Sequence, residues 1–326
     1  RVKTTYYTAS NKADFQTGQL DSGGSWFSDW DVVNVYNWRY FQDTFDAAGA
    51  VQSTSIQFDD ETHRTIAWSS ANLIEGTGSS NVLNGTPDTD LIKGGAGNDR
   101  LDGGAEIDRL EGGLGNDTYM LTDLSDFLVE NASAGFDTVY SPMSYVLPAN
   151  FERLYLTGTT IFGTGNAVDN VIVGNEGHNV LSGGGGRDVL FGRGGPDTIV
   201  GGTGKDVIEG GTGPDMLHGN VGADVFRWRS TAETGLTTAT MDAVKDFTSS
   251  TGDRISLNVI DANIGKSGNQ AFEFIGTAHF DGAGQVRYFS TGSDTVITLN
   301  VDSDSSPEAM IRLAGHHTPK ADWFML

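Results

Sequence analysis

Through two stretches of this chain an aspartate or asparagine stands at every ninth residue. The first set is Asn81, Asp90, Asp99, Asp108 and Asp117, and the second is Asn170, Asn179, Asp188, Asp197, Asp206, Asp215 and Asp224. Each is the sixth residue of a unit that opens with glycine and carries an apolar residue at position eight. Gly201-Gly202-Thr203-Gly204-Lys205-Asp206-Val207-Ile208-Glu209 and Gly94-Gly95-Ala96-Gly97-Asn98-Asp99-Arg100-Leu101-Asp102 are the clearest copies. Carboxylate oxygens set among glycine-rich backbone carbonyls are hard ligands. They suit Ca²⁺, which takes six to eight oxygens, better than Mg²⁺ or Zn²⁺. The candidate ligands are therefore Asp90, Asp99, Asp108, Asp117, Asn179, Asp188, Asp197, Asp206, Asp215 and Asp224.

The period also dictates what must position them. A chain that reverses direction every nine residues needs glycine at the turn, where the backbone passes close to its neighbours and visits φ > 0. The second half of each unit then forms a short strand whose eighth residue points inward. Those inward residues are Leu83, Ile92, Leu101, Leu110 and Tyr119, then Ile172, Leu181, Leu190, Ile199, Ile208, Leu217 and Phe226. One apolar residue per nine is too little burial to offset the entropy of ordering the chain, so bound cations must supply the remainder. Successive turns fall on alternate sides of the coil, which puts sixth-position residues 18 apart on one edge. Asp188, Asp206 and Asp224 share an edge, with Asn179, Asp197 and Asp215 opposite. In the first block Asn81, Asp99 and Asp117 share an edge, with Asp90 and Asp108 opposite. Same-edge pairs suggest about five to eight ions.

A flexible acidic linker would also be rich in glycine and aspartate, but it has no reason to keep three positions in register through every unit. Departures from the template mark weaker sites. Ser79, Asp88, Glu106 and Val168 replace glycine at position four, where a left-handed backbone is expected, and Asn81, Asn170 and Asn179 carry no charge. The entry coils of each block are expected to bind more weakly or to act as caps. The template resembles the GGxGxDxUx nonapeptide of RTX proteins, and the resemblance implies a calcium-binding parallel β-roll.

Composition agrees. Lysine plus arginine number 20 against 43 for aspartate plus glutamate, a net charge of -23. Without cations such a chain repels itself and is expected to be expanded. It lacks the basic footprint that nucleic-acid binding needs. With no cysteine, disulfides and thiolate zinc sites are excluded. No apolar run is long enough for a membrane-spanning helix.

The flanking regions read differently. Residues 1–75 are aromatic, and a shift of 38 positions aligns Tyr7 with Phe45, Asp21 with Asp59 and Trp30 with Trp68, which predicts two copies of a β-hairpin repeat. Turns are expected at Asp21-Ser22-Gly23-Gly24 and Asp46-Ala47-Ala48-Gly49. Trp26, Trp30, Trp38, Tyr40 and Trp68 either stack against sugars or fill a core or cap the open end of the solenoid. Residues 76–120 form the first nonapeptide block and 165–227 the second. Residues 121–164 resemble the spacer of RTX proteins, with longer rungs that continue one solenoid from 76 to 227. Residues 228–326 read as short strands, including Asp242–Phe247, Asp253–Leu257, Ala271–Gly276, Val286–Phe289 and Thr295–Leu299. Their order, with Gly252-Asp253-Arg254-Ile255-Ser256-Leu257 and the closing Ala321-Asp322-Trp323-Phe324-Met325-Leu326, resembles the C-terminal domain of serralysin-type secreted metalloproteases. That resemblance implies a cap on the roll and a terminal, uncleaved signal for a type I export channel. The protease does not come with it. None of His63, His178, His218, His279, His316 and His317 lies in a His-Glu-x-x-His motif, and adjacent His316 and His317 are expected on opposite faces of a strand.

The expected fold is thus all-β: a parallel β-roll flanked by an N-terminal hairpin region and a C-terminal β-rich cap. The expected function is that of a calcium-binding module of a secreted, extracellular or cell-surface bacterial protein, with calcium and the type I secretion machinery as partners. Two other readings stand beside it: a module that grips polysaccharide or a cell surface, and a polysaccharide-active enzyme built on the solenoid.

Overall fold

The computed structural model describes residues 38–45, 51–58, 63–123, 125–159 and 161–326. The chain divides into two compact units, Arg1–Asp137 and Thr138–Leu326. Among the described residues the only helices are short 3₁₀ turns, and every other regular element is a strand.

The first unit begins with an antiparallel sheet of Trp38–Phe45, Val51–Phe58 and His63–Ala67. The first of the two expected hairpin copies, both expected turns, Trp26 and Trp30 lie outside the described residues. Trp68 follows the sheet and is buried, edge-on to Phe127 with ring centroids 6.0 Å apart, so it fills a core. Two parallel sheets come next. One pairs Asn72–Glu75, Asp90–Ala96, Arg109–Leu114 and Phe127–Val129. The other pairs Val82–Asn84, Arg100–Asp102 and Thr118–Met120.

The second unit repeats this arrangement at greater length. Thr138–Ser141, Arg153–Leu156, Val171–Val173, Val189–Gly194, Val207–Thr212, Val225–Arg227, Arg254–Ser256 and Phe324–Met325 form one parallel sheet. The facing series is Tyr145–Val146, Phe162–Thr164, Val180–Gly185, Thr198–Gly204, Met216–Gly222, Asp242–Val244 and Ala309–Leu313. From there the sheet turns antiparallel through Asp294–Asn300 and Gln285–Thr291. Each unit is a β-roll in which strands from alternate half-coils build opposite sheets.

The pairing register follows from the sequence period. Asn72 faces Asp90, Val171 faces Val189, and Thr198 faces Met216, each a shift of two nonapeptides. The eighth-position residues from Ile92 to Tyr119 and from Ile172 to Phe226 are fully buried, which makes the predicted apolar ladder the core of each roll. Leu83, in an entry coil, is half-buried.

The strands are longer than the three residues that x-U-x predicts. Thr198–Gly204 and Met216–Gly222 each run seven residues. The cause is that lateral pairing continues into the glycines: Gly202 pairs with Gly184 and Asn220 at φ +112°, so the chain turns without leaving the sheet. Position four is left-handed as expected in the inner coils, and Glu106 adopts it at φ 69° despite its Cβ. Two local expectations are corrected. The strand expected over Ala271–Gly276 is only Glu273–Phe274. His316 and His317 lie in a loop beyond Ala309–Leu313, with His317 edge-on to Phe247 and Trp323.

Candidate metal centre

The sixth-position carboxylates form hydrogen-bonded ladders along the edges of each roll. Beyond the entry coils, Oδ1 of each accepts the backbone N–H of the sixth-position residue 18 places earlier. In the first unit Asp99 accepts from Asn81 at 2.7 Å, Asp117 from Asp99 at 2.7 Å, and Asp108 from Asp90 at 2.8 Å. In the second, Asp188, Asp206 and Asp224 accept in turn from Asn170, Asp188 and Asp206 at 2.7, 2.9 and 2.9 Å. On the other edge Asp197 and Asp215 accept from Asn179 and Asp197 at 2.7 and 2.8 Å. The edges are those that the 18-residue spacing predicts.

Oδ2 is in a different situation. In Asp99, Asp108, Asp117, Asp188, Asp197, Asp206, Asp215 and Asp224 it is buried with no hydrogen-bond partner. An uncompensated buried carboxylate oxygen is costly. The ion pairs Arg109–Glu111, Arg187–Asp169 and Arg227–Glu209 engage other acids. The space in front of Oδ2 is defined by the unit's opening glycine. A Cβ built on Gly201 would lie 2.5 Å from Asp206 Oδ2 and 2.9 Å from the Gly219 carbonyl oxygen, and one on Gly94 would lie 2.5 Å from both Asp99 Oδ2 and the Gly112 oxygen. A carboxylate oxygen of one coil and a carbonyl oxygen of the next coil on that edge thus converge on a small buried space. The donor set is all oxygen, the hard-ligand chemistry that Ca²⁺ takes, and a side chain in place of the glycine would collide with it. The residues present fit Ca²⁺.

Burial acts on these groups as it must. It pushes Asp108, Asp188, Asp215 and Asp224 up to about 7 and Asp197 to about 8, against the ordinary aspartate value of 3.8. Asp117 and Asp206 move the same way for the same reason. Either a proton or a cation must neutralise such a ladder.

Both ends of each ladder are closed by the protein itself. At the entry coils the sixth-position oxygen accepts the N–H of position two of its own turn: Thr77 to Asn81 at 2.7 Å, Thr86 to Asp90 at 2.6 Å, Asn166 to Asn170 at 2.7 Å and Asn175 to Asn179 at 2.7 Å. Asn170 also donates Nδ2–H to the Phe151 carbonyl at 2.9 Å, a bond an aspartate cannot make. The exits use residues outside the nonapeptides. Asp126 accepts from Asp108 at 3.1 Å and Asp137 from Asp117 at 2.8 Å. Asp242 and Asp253 accept from Asp215 and Asp224 at 2.9 and 3.0 Å. The second oxygens of these last two are occupied, by the Trp228 indole N–H at 2.6 Å and the Thr248 N–H at 2.8 Å. Sequence reading missed all four acids. The surviving signal was aspartate two residues before a buried apolar residue, as in Asp126-Phe127-Leu128 and Asp242-Ala243-Val244.

His178 is exposed, and His218 is half-buried, with desolvation holding its pKa below the usual value.

The family model for the peptidase M10 serralysin C terminal matches residues 155–325, just over half of the chain. The chain belongs to the serralysin C-terminal family. The model for the RTX calcium-binding nonapeptide repeat (4 copies) matches residues 75–110, 84–119 and 94–128, so this family member carries RTX calcium-binding repeats in its first block as well. Two endo-1,3-1,4-beta-glycanases of Rhizobium meliloti (strain 1021), ExsH and EglC, are each 47% identical to it over 60 residues, which is 18% of this chain and only 13% of either glycanase. Among solved structures, the AlgE6R3 and AlgE6R2 subunits of the Azotobacter vinelandii mannuronan C5-epimerase align with 49% and 50% of the chain, covering 78% and 90% of those subunits. Their identities are 24% and 25%, with TM-scores of 0.22 and 0.26. Among the described residues no helix is long and apolar enough to cross a membrane.

Proposed function

We propose that this chain is a calcium-triggered folding and export module of a secreted bacterial protein. In this reading the blocks at 76–120 and 165–227 hold several Ca²⁺ ions through Asp90, Asp99, Asp108, Asp117, Asn179, Asp188, Asp197, Asp206, Asp215 and Asp224. Residues 121–164 are spacer rungs, and 228–326 carry the type I export signal. The observation that supports it best is the row of buried, unpartnered Oδ2 atoms, four of which, in Asp99, Asp188, Asp197 and Asp206, lie beside a glycine carbonyl of the next coil on the same edge.

The chemistry follows from charge. In a calcium-poor cytosol the carboxylates repel one another and the chain stays open, in a form suited to threading through a channel. Outside the cell, millimolar Ca²⁺ binds only the folded form and draws the equilibrium toward it by mass action. Folding after exit would also hinder return of the chain.

The export half is tested at the terminus. Asp322–Leu326 is short, acidic and apolar, as the family resemblance implies for an export signal. Deleting these residues is expected to abolish secretion through a reconstituted type I channel while the purified chain keeps its calcium-induced transition. Normal secretion of the truncated chain would overturn the assignment.

A further inference from the structure

The ladder changes its chemistry where the first block ends. Gly112 opens the last unit of that block, and the residue 18 places on, where the inner coils have glycine, is Glu130. The inward residue of the same unit is Tyr119, where earlier coils use leucine or isoleucine. Tyr119 is fully buried, its Oη accepts the Gly112 N–H at 2.6 Å, and its hydroxyl donates to Glu130 Oε1. Glu130 is 3% exposed, and Asp117 and Asp137 are fully buried. One carboxylate oxygen from each of the three lies within 4.8 Å of the others.

Two observations beyond the cluster point to a ligand. Asp117 Oδ2 is buried without a hydrogen-bond partner. Asp117 Oδ2, Glu130 Oε1 and Tyr119 Oη also converge over Gly112, where only glycine fits because a Cβ would collide with all three oxygens. At Gly94, Gly183, Gly192 and Gly201 the corresponding place is lined by one carboxylate oxygen and a glycine carbonyl. Here it meets two carboxylates and a phenol, with Asp137 close behind.

We propose that Asp117, Glu130 and Asp137 form a calcium site at the exit of the first block, richer in carboxylates than the inner repeat sites, with Tyr119 positioning Glu130, and that this site fills at lower calcium than they do. Calcium affinity rises with the number of charged ligands and the rigidity of the site. Three carboxylates in a buried space exceed what any repeat cradle offers, and the Gly112–Tyr119–Glu130 hydrogen-bond chain fixes one of them. Tyr119 is thus more than an oversized core residue: its ring continues the apolar ladder while its hydroxyl reaches the metal edge. A site of this kind closes the first roll at its exit, so filling it early would secure that end before the weaker coils load.

The choice of ion rests on the reading that the repeats bind Ca²⁺. The test therefore separates the two. Calorimetric titration of the full chain with calcium alone is expected to show one ion bound more tightly than the rest. Glu130→Gln should weaken that ion at least about tenfold, and Tyr119→Phe by about 10–100-fold, as loss of an orienting partner does. Both variants should keep the later part of the isotherm and reach wild-type circular dichroism at saturating calcium. Asp206→Asn, in the other unit, should leave the first ion in place. A wild-type chain that binds no calcium would overturn both readings. Isotherms of Glu130→Gln and Tyr119→Phe that coincide with wild type would overturn this one alone.

Discussion

Substitution of Asp206 separates the two tasks of a ladder carboxylate. Its Oδ1 accepts the buried Asp188 N–H at 2.9 Å, and its Oδ2 faces the Gly201 cradle with no partner. Asp206→Asn keeps an oxygen for the Asp188 amide but replaces the anionic ligand with an NH₂ group. Asp206→Ala removes both and leaves that amide without an acceptor. An unsatisfied buried N–H costs about 1–3 kcal/mol, and roughly 1.4 kcal/mol is a factor of ten in the folding equilibrium. Urea unfolding at saturating calcium is therefore expected to rank wild type above Asn, and Asn above Ala by about 1–3 kcal/mol. Calorimetry should find the two variants deficient in calcium to the same extent. The chain itself makes the asparagine substitution at Asn170, where the amide finds the Phe151 carbonyl. Equal unfolding midpoints for Asn and Ala would refute the ladder bond as a stabilising element. A wild-type calcium count in Asp206→Asn would refute Oδ2 as a ligand.

Two further outcomes follow from the same geometry. Asp206 stands between Asp188 and Asp224, whereas both oxygens of Asp90 are already engaged by Thr86. Asp206→Ala is thus expected to lose more calcium, and more cooperativity, than Asp90→Ala in parallel titrations, and equal losses would contradict the coupled-coil picture. Acid should substitute in part for calcium. Burial in the calcium-free roll raises Asp188 and Asp224 to about 7 and Asp197 to about 8, while the unfolded chain keeps them near 3.9. The folded state then binds more protons, and its stability is fully present below about pH 4 and lost as pH rises through about 7–8. In EGTA, lowering the pH from about 8 to about 5 should increase the far-UV β signal. A flat response would contradict the burial of these groups.

The nonapeptide blocks were legible because three positions repeat at one interval. That interval dictates the coil, the inward residues and the edges on which the aspartates meet. Asp126, Asp137, Asp242 and Asp253 escaped notice because they follow their ladder partners at spacings of 18, 20, 27 and 29 residues, without the opening glycines. Their role is set by where strands pair and not by a local period. The strand Ala309–Leu313 was missed for a similar reason: it sits between Asp242–Val244 and Asp294–Asn300 in the sheet, a nonlocal placement that its own alternation does not reveal. Glu130 lies outside the nonapeptide template, and its place beside Gly112 and Tyr119 is set by coil stacking and not by a local motif. Strands extend into the glycine pairs because left-handed glycines such as Gly202 stay within the lateral pairing, although glycine ordinarily weakens a strand.

The central claim is that calcium and the ladder carboxylates together make the roll. It is tested most directly by far-UV circular dichroism of the full chain at neutral pH, first in EGTA and then in millimolar Ca²⁺. A large gain of β signal on adding calcium, reversed by chelation, is the expected result. Superimposable spectra in the two conditions would contradict it.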